Sequence, residues 1–94
     1  MVILRIEHKV LSYDGWKVAF DNDPIGRKKM GVKRYRIFRP VEEPTYVIID
    51  LEFDSLEEAK VVHAALQKMW TKVEGTIMIG PKSSLLDVVE TKEY

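Results

Sequence analysis

The chain contains no cysteine, so it can form no disulfide framework, thiolate nucleophile or cysteine-ligated zinc or iron–sulfur centre. No apolar run approaches the length of a membrane span. The opening Met1-Val2-Ile3-Leu4-Arg5-Ile6-Glu7 alternates like a strand, whereas a secretory signal would show a basic segment followed by an apolar one. A cytoplasmic protein with no membrane partner is expected. Net charge is also lacking: 15 basic and 15 acidic side chains cancel to +0, which argues against bulk attraction to nucleic acid or anionic lipid. Gly75 and Gly80 lack the lysine-serine ending and the following helix of a phosphate loop, and no nucleophile elbow or serine–histidine–aspartate arrangement is found. The two histidines, His8 and His63, have no carboxylate at helical ligand spacing, so no metal is expected.

What is present is a pattern of alternation. Val2, Leu4, Ile6, His8 and Val10 alternate with Ile3, Arg5, Glu7 and Lys9; later, Val47, Ile49, Leu51 and Phe53 alternate with Tyr46, Ile48, Asp50 and Glu52. Period-two patterning of this kind marks strands with one apolar face. The opposite face mixes apolar and charged groups, too greasy for a solvated surface and too charged for a private core. A second copy of the chain is its natural cover. Ile3, Arg5, Arg36, Phe38, Ile48 and Asp50 are the expected dimer face. With 94 residues, 46% of them hydrophobic, the chain makes one domain over 1–94 with a small core that gains from oligomerisation.

Strand one is expected from Val2 to Val10. Ser12 or Asp14 then caps a helix carrying Trp16, Ala19 and Phe20 on one face. Asp23-Pro24 restarts the chain, and the turn from Ile25 to Met30 stops at Gly31. Strand two, Val32 to Arg39, returns past Pro40 and Pro44 into strand three, Thr45 to Phe53. Only a register that sets even positions opposite even ones keeps Tyr35 and Ile37 beside Ile49 and Leu51. Ser55 with Glu58 forms a capping box that opens a second helix, whose stripe comprises Ala59, Val62, His63, Leu66, Met69, Trp70 and Val73. That helix ends near Gly75. Gly80-Pro81 reads as a further break, and Ser84 to Glu90 as the last strand. Seven cations lie between Arg27 and Arg39 with no acid among them. They read functionally as a basic patch for phosphate or a carboxylate-bearing ligand and structurally as a helix end and a strand facing Asp50 and Glu52 across a hairpin; the structural reading is preferred, with no nucleic-acid partner.

The order β-α-β-β-α-β specifies an α+β, ferredoxin-like plan: an antiparallel four-stranded sheet with two helices on one face. Ser12-Tyr13-Asp14-Gly15-Trp16-Lys17, Arg27 to Gly31, and Asp50-Leu51-Glu52-Phe53-Asp54-Ser55-Leu56-Glu57-Glu58-Ala59 resemble the small dimeric α+β barrel proteins related to the antibiotic biosynthesis monooxygenases, some of them labelled cyclases. The resemblance spans nearly the whole chain and implies a homodimer whose sheets face each other as a barrel, with any ligand pocket between sheet and helices. It further implies binding of a small aromatic or polyketide-like molecule and cofactor-independent monooxygenase or cyclase chemistry. The alternative is a non-catalytic dimerisation or ligand-sensing module. Haem-degrading relatives use a histidine, an asparagine and a tryptophan; here the single asparagine, Asn22, closes helix one, so that site is not carried over.

Both histidines fall on stripes aimed at the layer between sheet and helices. His8 lies near the C-terminal end of strand one. His63 lies about two turns into helix two, which is expected to start from the same end because strands one and three are read as running in parallel. On that reading the two rings approach each other, with Trp16, Tyr35 and Trp70 as walls of an aromatic pocket whose imidazoles accept a proton from an acidic phenol or enol. The competing reading makes both histidines hydrogen-bonded core residues and both tryptophans core. Asp14 reads as a cap.

Overall fold

The computed structural model describes residues 1–73, 75 and 78–94. Six elements follow one another as β1 (Val2–Lys9), α1 (Tyr13–Asp21), β2 (Arg34–Phe38), β3 (Tyr46–Phe53), α2 (Leu56–Val73) and β4 (Ile79–Asp87). They build one sheet in the order β2-β3-β1-β4 with every neighbouring pair antiparallel. The inward residues of β1 pair with those of β3, Leu4 opposite Leu51 and Ile6 opposite Ile49. Both helices press their apolar stripes onto that face, so that Trp16 of α1 and Ala59, Val62, Leu66 and Trp70 of α2 share one core with Leu4, Val47 and Phe53. Full burial of a side chain such as Phe53 or Leu4, both at 0% exposure, is worth about 1.5–3 kcal/mol.

Local signals account for most of the boundaries. Ser12 caps α1, its hydroxyl accepting from the Gly15 N–H at 3.2 Å; Asp14, the other expected cap, lies in the first turn, where the helix dipole favours a carboxylate. Ser55 accepts from the Glu58 N–H at 3.2 Å and donates to Glu58 Oε1 at 3.1 Å, fixing the start of α2. The β2–β3 hairpin has the even-to-even register, with Arg34 opposite Glu52 and Arg36 opposite Asp50.

Two expectations are corrected. β1 and β3 run antiparallel, because α1 carries the chain back across the sheet before the β2–β3 hairpin reverses it. Helix α2 therefore starts at the end of the sheet opposite His8. The last strand begins at Ile79 and includes Gly80-Pro81, which was expected to break it. β4 is an edge strand, and its register slips between Glu7–Lys82 and Lys9–Ile79. Gly80, at φ +61, supplies the left-handed residue of a bulge that accommodates proline beside His8.

The outer face of the sheet is held by ion pairs within the chain. Arg5 grips Asp50 through Nε–Oδ1 and Nη2–Oδ2, both at 2.8 Å, and Arg34 grips Glu52 through Nε–Oε2 at 2.6 Å and Nη2–Oε1 at 3.1 Å. Asp50 thus pairs with β1, where a strand-two arginine was expected. Tyr46 donates to Glu7 Oε1 at 2.6 Å, and that carboxylate pushes the phenol's pKa up to about 12. Arg36 has no carboxylate among the described residues and leans over Phe38 at 5.7 Å. Among the described residues no helix is long and apolar enough to cross a membrane, and no group of three or more His, Cys, Asp or Glu is placed to hold a metal ion.

Candidate functional site

Sheet and helices do not close completely, and a cavity of about 350 Å³ remains between them. Its floor is Ile6, Ile49 and Leu51; one wall is Trp16, Ala19 and Phe20 of α1 and the other Leu66, Met69 and Trp70 of α2. Asn22, Pro24, Ile25 and Arg27 border it on the segment after α1. That size falls in the range of small-molecule sites, and an apolar lining with few polar groups is their usual character.

His8 is the polar group on the strand side. It projects inward from β1 and is 1% exposed. Its Nδ1 stands 3.0 Å from the Lys9 carbonyl, and a carbonyl only accepts, so Nδ1 carries the hydrogen. Burial, opposed in part by that hydrogen bond, lowers the pKa from its ordinary 6.5. The ring is thus neutral at physiological pH, with a lone pair on Nε2. Nε2 has no hydrogen-bond partner among the described residues, and no described polar side-chain atom is sealed without one. The open space beside this buried ring is the cavity it lines. Trp16 meets the ring edge-on, centroids 5.9 Å apart at 64°, and holds its orientation.

From Trp16 an aromatic series continues to Phe20 at 5.1 Å and on to Tyr35 at 5.0 Å. The Arg27 guanidinium lies 3.8 Å over the Phe20 ring and 5.2 Å from Tyr35, a geometry that favours a cation. Its Nη1 donates to the Phe20 carbonyl at 2.9 Å and stands 3.5 Å from Asp23 Oδ1. Asp23 in turn accepts from the Arg27 N–H at 2.9 Å, closing the turn that brings the arginine back under α1.

Of the residues expected at a pocket, His8, Trp16 and Trp70 border the cavity, whereas Tyr35 and His63 are not among its lining. Tyr35 backs the Phe20 wall and is 41% exposed. His63 binds Ser83 Oγ through Nε2 at 2.7 Å and meets Trp70 edge-on at 6.3 Å. The reversed direction of β3 separates the two histidines: His63 lies early in α2, whereas Trp70, two turns later, reaches the cavity. Sequence reasoning grouped Arg27 with a cationic run read mainly as a helix end and a strand rather than as part of this pocket, and set Asn22 aside as a helix end. A signal for Arg27 was present in its spacing of four from Asp23, the residue that anchors it.

No family model matches the chain, and no curated protein does. Solved structures do. SnoaB, a cofactor-independent oxygenase from Streptomyces nogalater, superposes with a TM-score of 0.74 at 11% identity, covering 96% of this chain and 94% of that one. A protein from Deinococcus radiodurans, provisionally named an antibiotic biosynthesis monooxygenase, gives 0.69 at 13% identity over 100% and 98%. The fold is that of the antibiotic biosynthesis monooxygenase-like proteins. A dimeric ferredoxin-like protein from an uncultured marine organism shares it as well, at a TM-score of 0.66 and 13% identity over 97% of both chains. At such identities the likeness is one of fold, and function has to be reasoned from the site.

Proposed function

We propose that this protein is a homodimer that binds a small aromatic or polyketide-like molecule in the cavity beside His8 and acts on it by cofactor-independent oxygenation or cyclisation. The observation that carries the reading is His8: a buried, neutral imidazole whose Nδ1–H is spent on Lys9 and whose Nε2 lone pair adjoins an aromatic-walled cavity. Oxygenation without a cofactor and ring closure share a first step, removal of a proton from an acidic phenol, enol or activated carbon, and Nε2 is the group available to take it. Trp16, Phe20 and Trp70 suit a planar ring system. The oxygenase that shares the fold supports the reaction class.

Dimerisation is proposed through the outer face, where Ile48 and Phe38 lie among paired charges, Phe38 at 38% exposure, and where the marine ferredoxin-like relative is described as dimeric. Sedimentation is expected to show a dimer at micromolar concentration that Ile48→Asp dissociates; a wild-type monomer overturns it. The site reading is tested by calorimetric titration with hydroxynaphthalenes and anthrones, followed by oxygen-uptake assays. Binding and turnover lost together in His8→Asn at unchanged fold support the enzyme. Binding without oxygen uptake or ring closure favours a ligand-sensing module.

A further inference from the structure

Arg27 differs from Arg5 and Arg34 in how its fork is used. Arg5 and Arg34 each spend Nε and Nη2 on a carboxylate in a two-bond grip. Arg27 spends only Nη1, on the Phe20 carbonyl and, at 3.5 Å, on Asp23. Its Nε and Nη2 have no acceptor among the described residues. The side chain is nonetheless only 14% exposed, fixed between a carbonyl and the face of Phe20. An unspent, immobilised half of a guanidinium is the donor pair that recognises a carboxylate or another anionic oxygen. Among the described residues the cavity it borders has no Asp or Glu in its lining, and its other polar groups are the neutral imidazole of His8 and the Asn22 carboxamide. Apolar walls strengthen an ion pair formed there.

We infer that Arg27 is the anion subsite of the cavity, and that the ligand is an aromatic anion whose charge sits on a carboxylate or on an ionised phenol or enol oxygen. The inference rests on the reading that the cavity takes an aromatic molecule, and it adds the charge of that molecule and the residue that selects it. Asp23 is the built-in competitor. It sits against the same guanidinium and lowers the affinity for an incoming anion.

The test compares β-naphthoate with its neutral isostere β-naphthamide by isothermal calorimetry on the full-length protein. Wild type is expected to prefer the naphthoate about tenfold, the worth of one charge-assisted hydrogen bond. Arg27→Gln should erase that preference while leaving naphthamide binding in place. Asp23→Asn keeps the oxygen that accepts from the Arg27 N–H and suits the left-handed backbone at φ +49. It removes the competing charge, so it should tighten naphthoate several-fold and serves as the decisive variant if Arg27→Gln does not fold. Para-nitrophenol separates the two ligand sources: a phenolate subsite lowers its ionisation midpoint with wild type and not with Arg27→Gln, whereas a carboxylate subsite shows only in the naphthoate pair. Equal affinity for naphthoate and naphthamide together with an unmoved midpoint overturns the anion subsite and leaves the aromatic cavity standing. A preference that survives in Arg27→Gln, or no tightening in Asp23→Asn, also overturns it. Failure of every probe to bind overturns both readings.

Discussion

Acidifying the folded protein forces a proton onto His8, and the resulting loss of stability can be worked out in sign and bound. The folded ring's pKa lies below its ordinary 6.5, because burial disfavours the imidazolium more than the Lys9 carbonyl restores it. Between the folded value and 6.5 the unfolded chain binds more protons than the folded one. The contribution of neutral His8 is therefore fully present above the unfolded pKa and is lost as the pH falls through it toward the folded value. A single group cannot exceed about 1.4 kcal/mol per pH unit, which in a domain of this size corresponds to roughly 5–10 °C of melting temperature per unit. Solvent reaching the ring through the cavity screens the charge and holds the slope below that bound. The assay is a set of thermal melts by circular dichroism between about pH 5 and 8, at one protein concentration, for wild type and His8→Asn. Asparagine keeps a donor for the Lys9 carbonyl but does not titrate, and the other groups titrate in both proteins, so the difference in slope reports His8. Parallel curves refute the reasoning. A wild type that gains on the variant with acidification refutes it more sharply, since the imidazolium would then be the favoured form and Nε2 no base.

Arg5→Met leaves the Asp50 carboxylate, 1% exposed, without its two-bond partner and is expected to cost about 3 kcal/mol in urea denaturation. Adding Asp50→Leu should recover most of that loss; additive losses would deny the coupling. Gly31→Ala places a Cβ against the Glu58 carboxylate at a backbone φ of +100 and should cost about 1–3 kcal/mol, measured the same way, whereas an unchanged midpoint would mean that the 25–31 turn yields freely. The cationic run from Arg27 to Arg39 is expected to bind no nucleic acid at physiological salt, since Arg34 is paired with Glu52 within the chain and the net charge is +0. Salt-sensitive micromolar binding in an anisotropy titration would reverse that.

Much of the fold was legible because its determinants are local. Alternation in β1 and β3 sets which side chains turn inward, since a one-residue slip would exchange the faces, and it placed His8 inward with Leu4 and Ile6. Ser12 and the Ser55–Glu58 box mark where helices begin through bonds spanning three residues, within reach of sequence patterning. The extent of β4 was not legible: a glycine-proline pair ends a strand in most settings, and only its place at the sheet edge, with a bulge beside His8, lets the ladder run through it. Nor was the company kept by the candidate site residues. His63 follows a helical stripe that predicts its face but not its height over the sheet, which the direction of β3 decides. Asp50 had two arginines within reach on neighbouring strands, Arg36 opposite it on β2 and Arg5 opposite it on β1, and patterning cannot rank them. Arg27 stands in a short turn with no periodicity to aim it. Its role was decided by tertiary structure, because the carbonyl at the end of α1, the Phe20 ring and Asp23 converge on one guanidinium only once the chain has folded back on itself.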